Sequence, residues 1–168
     1  MSDQPVTMTA PPSRLRWWIP LLLIAATLLV YSNSFTGGFI FDDEPHILND
    51  PSIRALTPLR ETWLNTRRPF VKLTLAVHYQ LHEFSVVGYH VFNVAVHICA
   101  GLVLMGLIRR TLALPHLVER YARAGPWIAA SAALIWLVHP VQTQAVTYII
   151  QRAESMMSLM VLLSLYCF

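Results

Sequence analysis

The sequence is short of charge and of cysteine. Only 12% of its 168 residues are Asp, Glu, Lys or Arg, about half the share of an ordinary soluble domain. A chain with so little charge cannot cover a globular surface in the usual way. Its two cysteines, Cys99 and Cys167, lie in separate apolar runs. They exclude a disulfide framework and read as buried packing residues. There is no zinc or haem-attachment spacing, no glycine-rich phosphate loop and no internal repeat. The formal net charge is only +3, so no nucleic-acid partner is expected.

What fills the chain instead is apolar residue, 55% of the total, with a mean hydropathy of +0.51. These residues stand in blocks, which is membrane-protein composition. The expected architecture is an all-α integral membrane protein, a helical bundle with about four spans over 17–35, 89–108, 126–139 and 155–168. Residues 1–13 read as a disordered cytoplasmic tail, and 36–86 as an extracytoplasmic loop carrying amphipathic surface helices. One such helix is expected over Ile53–Asn65. A second, over Phe70–Leu81, puts Leu73, Val77 and Leu81 on one stripe. Arg14 and Arg16 before the first span, and Arg109, Arg110, Arg120 and Arg123 after the second, put both flanks in the cytoplasm. A signal peptide is the competing reading of the first run. About 13 residues precede the break at His139–Pro140, roughly 20 Å of helix, short for a crossing. Val141–Ser155 reads as another amphipathic piece. The run MMSLMVLLSLYCF ends the sequence with no flanking charge, which predicts a longer protein of which this is one part.

The topology gathers several chemical groups on the extracytoplasmic face. Asp42, Asp43 and Glu44 stand together in GGFIFDDEPHILND. A carboxylate there is a candidate general base or metal ligand; the bland alternative is a solvated acidic turn. His78 and His82 share a helix face, as do His90 and His97, a spacing that admits metal or haem. The more ordinary role is hydrogen bonding inside a bundle, with His90, Asn93 and His97 turned away from lipid. Arg152 is a candidate phosphate ligand or an interface anchor. Glu154, two residues on, points to another face and is not its helical partner.

Four stretches carry a resemblance: FIFDDEPHILNDPSI, RRPFVKLTLAVHYQLH, GYHVFNVAVHICAGLVL and LIWLVHPVQTQAVTYIIQRAESMMSLMVLLSLYCF. In this order they resemble the N-terminal membrane region of the transmembrane and tetratricopeptide-repeat O-mannosyltransferase-like family. The resemblance extends to its bacterial relatives and implies a bacterial inner-membrane location. It implies a GT-C fold and an inverting glycosyltransferase whose catalytic acid maps to Asp42 or Asp43. The implied donor is a polyprenyl-phosphate sugar and the acceptor a hydroxyl group on a protein. Glu44, His90, His139, Gln144, Arg152 and Glu154 become the candidate residues for substrate and lipid phosphate. Gln144 departs from the acid that animal members tend to carry after HP-x-x-T. The resemblance fixes no cofactor, and a divalent cation is compatible with the acids. Two other readings compete. One is a non-enzymatic anchor for a repeat domain beyond this sequence. The other is a metal or haem protein built on His78, His82, His90 and His97.

Overall fold

The computed structural model describes residues 17–54, 66 and 68–168. The tail, Arg14, Arg16 and nearly all of the helix expected over Ile53–Asn65 lie outside the described residues. Among the described residues there are seven α-helices and no strand. They are α1 (Trp18–Val30), α2 (Pro69–His82), α3 (Val86–Leu112), α4 (Pro115–Tyr121), α5 (Gly125–Val138), α6 (Thr143–Thr147) and α7 (Arg152–Cys167).

Local chemistry sets several boundaries. Pro69, Pro115 and Pro126 sit in the first turns of α2, α4 and α5, where an amide hydrogen has no helical partner to lose. Helix α1 stops at Val30, and the chain continues as a 3-10 turn over Ser32–Thr36. The single span expected over 17–35 is therefore a 13-residue α-helix followed by a turn. Ser34 and Thr36 donate their hydroxyls to the carbonyls of Tyr31 and Asn33, closing that turn. The piece expected over Val141–Ser155 is not one helix. It divides into α6 and the head of α7, separated by a turn over residues 148–151.

Helix α3 is central, with α5 and α7 packed along it and α1 against α5. It is the one described helix both long and apolar enough to cross a membrane; α1 and α5 are shorter apolar helices. Small residues let the helices approach. Gly125, Ala129, Ala133 and Leu137 recur every fourth position on the buried face of α5. Ala129 and Ala133 pack with Ile19 and Leu23 of α1 and Met105 of α3. Such small side chains let the helix backbones come close enough for extensive van der Waals contact.

Cys99 and Cys167 are exposed, not buried as their apolar surroundings suggested. A run that is apolar all round hides which face meets protein, so composition alone could not orient them. In α2, Leu75 and Ala76 are buried, while Val77 and Leu81 of the expected stripe stay uncovered.

The histidines and the asparagine of α3 explain how the bundle tolerates the break after Val138. A helix that ends inside a bundle leaves carbonyls without helical partners. His97 Nε2–H donates to the Leu137 carbonyl at 2.9 Å, and the Tyr31 hydroxyl donates to the same oxygen at 3.4 Å. Asn93 Nδ2 donates to the carbonyls of Val146, Tyr148 and Ile149. His90 Nε2–H donates to Gly37. The three side chains are buried, facing protein as their polarity required.

Candidate active site

Beyond the Ser32–Thr36 turn the chain runs without regular secondary structure to Phe41, whose φ of 49° is left-handed. A bulky residue adopts this only under constraint, at a cost of order 1–3 kcal/mol. The constraint lies two residues on. Asp43 is 1% exposed. Its Oδ2 accepts from the Ile40 amide at 3.2 Å, and its Oδ1 from the Ile150 amide at 2.7 Å. Amide donors compensate the burial of a carboxylate that would otherwise be costly. Asp42 and Glu44 point elsewhere and are exposed. Three adjacent acids thus have two different fates.

After a π turn over Glu44–Leu48, Asp50 caps a 3-10 turn. It accepts from the Ser52 amide at 2.9 Å and pairs with Lys72 Nζ of α2 at 3.2 Å. Burial pushes the Asp50 carboxyl up, but the Ser52 hydrogen bonds and the Lys72 ammonium together hold it below its ordinary value. Ile47 and Ile53 from these turns are fully buried against Leu75, Tyr89 and Ile149. The acid loop is therefore part of the packed fold.

Between this loop, α2 and the start of α7 opens a groove of about 670 Å3. Asp42, His46 and Asp50 line one wall, Arg68 and Lys72 the second, and Gln151 and Glu154 the third. His46 Nδ1–H donates to the Asp42 carbonyl at 2.9 Å. Arg68 and Glu154 stand 3.8 Å apart across the mouth. Both also line a second, apolar groove of about 580 Å3 between α2 and α7, walled by Phe70, Met156, Met157 and Met160. The polar and apolar grooves share Val71 as well.

Of the residues expected at the site, the groove brings together Asp42 and Glu154, with Asp43 clamped beneath Ile150. Arg152 is neither an interface anchor nor open to the groove. It is 0% exposed. It donates to the Ile149 and Tyr89 carbonyls and to Thr74 Oγ1, and lies over the rings of Tyr89 and Phe92. His90 is buried under Gly37, away from the groove. Glu44, His139 and Gln144 are exposed and do not line it. His139 instead caps the 3-10 turn over Pro140–Gln142, accepting from the Val141 amide.

His78 and His97 each donate a ring nitrogen to a backbone carbonyl, as His90 does. Among the described residues no group of three or more His, Cys, Asp or Glu is placed to hold a metal ion. His46, Asp50, Arg68 and Lys72 were not singled out from the sequence. The signal for them was present in the stretches FIFDDEPHILNDPSI and RRPFVKLTLAVHYQLH, whose opposite charges meet only after folding.

No family model and no solved structure matches the chain. Curated proteins do. A Caenorhabditis elegans protein O-mannosyl-transferase is 34% identical over 86% of the chain and 22% of its own length. Human protein O-mannosyl-transferase TMTC4 is 29% identical over 90% of the chain and 23% of its own length. Mouse TMTC1, with the same description, is 31% identical over 85% of the chain and 16% of its own length. The chain spans about a fifth of these relatives. Each of these matches covers more than four fifths of the chain, and on that ground the chain belongs to the TMTC family of protein O-mannosyl-transferase-like proteins.

Proposed function

We propose that this chain is the donor-site end of a membrane glycosyltransferase that moves a sugar from a polyprenyl phosphate to a protein hydroxyl group. The observation that carries the reading is the pair of joined grooves. A polar groove with both charge signs opens, through Arg68 and Glu154, onto an apolar groove lined by methionines. That shape suits one substrate with a sugar-phosphate head and a long hydrocarbon tail.

In this reading Asp42 is the general base. It accepts the proton of a serine or threonine hydroxyl as the oxygen attacks the anomeric carbon from the face opposite the phosphate. The bond to the phosphate oxygen breaks, the configuration inverts, and polyprenyl phosphate leaves. Arg68 and Lys72 carry the cationic role first given to Arg152, stabilising negative charge on the leaving phosphate. Asp43 is a positioning residue that holds the Asp42 turn against Ile150. In this reading α1 with its following turn, α3, α5 and α7 cross the membrane, with the groove outside the cytoplasm and the N-terminus inside. In a bacterium that is the inner membrane. The 27-residue α3, about 40 Å long, separates the groove from the basic end at Arg109 and Arg110, as the positive-inside rule requires.

The test uses membranes containing the full-length protein, a labelled polyprenyl-phosphate mannose and a serine/threonine-rich acceptor. Asp42→Asn is expected to lower transfer about 100-fold or more with expression and thermal midpoint unchanged. Wild-type transfer by that variant would remove Asp42 as the base. No transfer by the wild type with any polyprenyl-phosphate sugar would leave the anchor reading in its place.

A further inference from the structure

A third cavity, of about 450 Å3, lies at the opposite end of the bundle. It is enclosed by the last turns of α3, by α4, by the first turn of α5 and by the end of α7. Its size is that of a small-ligand pocket, roughly 300–1,000 Å3. The polar side chains in its wall are Arg109, Arg110, Tyr121 and Tyr166, with Gly106 and Gly125 leaving room between them. Among the described residues no carboxylate lines it.

The two arginines are differently held. Arg110 donates to the Tyr166 carbonyl, and its guanidinium lies 4.8 Å from the centre of the Tyr166 ring. Arg109 is half-buried and has no side-chain hydrogen bond or ion pair among the described residues. A guanidinium drawn partly out of water with no carboxylate beside it is set up to bind an oxyanion through paired N–H donors. The level of the cavity is marked by Trp18 and Trp127, in the first turns of α1 and α5, whose rings lie 6.3 Å apart. Paired tryptophans at helix ends belong at the headgroup layer. Apolar side chains on the helices that wall the cavity, Ile128, Val161 and Leu165, are exposed and offer a surface to acyl chains.

We propose that this cavity binds the phosphate headgroup of an anionic phospholipid from the membrane in which the chain sits, with Arg109 and Arg110 holding the phosphate oxygens. The charge of the wall, the tryptophans and the uncovered apolar surface favour a lipid over a soluble anion. The site is independent of the sugar-transfer reading, since it shares no residue with either groove of the candidate active site.

The full chain, purified in a neutral detergent, is titrated with phosphatidylglycerol or phosphatidylcholine and read by native mass spectrometry. Phosphatidylglycerol adducts should survive at activation energies that strip phosphatidylcholine. Arg109→Gln should weaken retention of phosphatidylglycerol at least fivefold. Arg109→Lys should retain part of it, and the double variant Arg120→Gln/Arg123→Gln, outside the cavity, should match the wild type. Equal loss in the Arg109 and the Arg120/Arg123 variants would overturn the proposal in favour of diffuse charge attraction. Displacement of the lipid by millimolar inorganic phosphate would overturn it in favour of a soluble-anion site. If Arg109→Gln fails to fold, retention by Arg109→Lys compared with the Arg120/Arg123 variant decides the same question.

Discussion

The Asp43 carboxylate accepts a hydrogen bond from the backbone amide of Ile150 at 2.7 Å, across 107 residues of sequence. This one bond ties the acid loop to the turn from which α7 starts. It also divides two adjacent aspartates that the sequence presents as equivalent.

Replacing Asp43 should therefore act through the fold. Asp43→Ala strands the amides of Ile40 and Ile150, each at a cost of about 1–3 kcal/mol if water cannot reach it. Asp43→Asn keeps one acceptor oxygen and should cost less. Asp42→Ala, on an exposed side chain, should stay within about 0.5 kcal/mol of wild type. Thermal midpoints of the three variants in one detergent check the order. Equal midpoints for Asp42→Ala and Asp43→Ala would show that the clasp contributes nothing.

The contact of α3 with α5 depends on a missing side chain. A Cβ at Gly101 would lie 2.5 Å from two carbons of Leu137, which is fully buried and cannot swing away. Gly101→Ala should destabilise by about 1–3 kcal/mol. At Gly38 a Cβ meets nothing within 4 Å, so Gly38→Ala should be nearly silent. A double variant, Gly101→Ala with Leu137→Ala, should cost less than the sum of the single changes, because removing the leucine branch makes the room the alanine needs.

Arg152 should prove structural. Its three hydrogen-bonding nitrogens reach Ile149, Thr74 and Tyr89, joining α2, α3 and α7. Lysine has one ammonium and no planar fork to span them. Arg152→Lys should reduce the thermal midpoint and the yield of folded protein, and Arg152→Ala should cost about 2–5 kcal/mol. A variant of normal stability with only a raised KM for the lipid-linked donor would return Arg152 to the phosphate.

His78 gives the fold a pH dependence. Burial depresses its pKa; the charges of Arg152 and His82 add to this, and the hydrogen bond to the Thr74 carbonyl opposes it. The unfolded chain, with an ordinary value of 6.5, then binds the proton more readily than the folded one. The stability at stake is fully present above that value and is lost as pH falls below it, toward the depressed folded pKa. The thermal midpoint should drop as the pH falls below 6.5. His78→Gln should flatten this segment of the curve; an unchanged slope would assign it to another group.

The sequence by itself determined the class of this protein. Apolar blocks, a shortage of charge and prolines at helix starts are local properties, and they were enough for an all-helical chain with its longest helix around 89–108. The polarity of His90, Asn93 and His97 likewise required them to face protein, because an unpaired donor in lipid is costly. The break at His139–Pro140 was legible because polar residues and a proline interrupt a short apolar run there. Only the tertiary structure decided which carbonyls those side chains would serve, since those of Leu137, Val146, Tyr148 and Ile149 come within reach only when α5 and the broken segment pack on α3. It also separated Asp42 from Asp43, turned Arg152 inward and Cys99 outward, and brought Arg68 and Lys72 to the acids. Each of these is a long-range choice between two faces of an element. Local periodicity offers both faces, and packing against distant residues selects one.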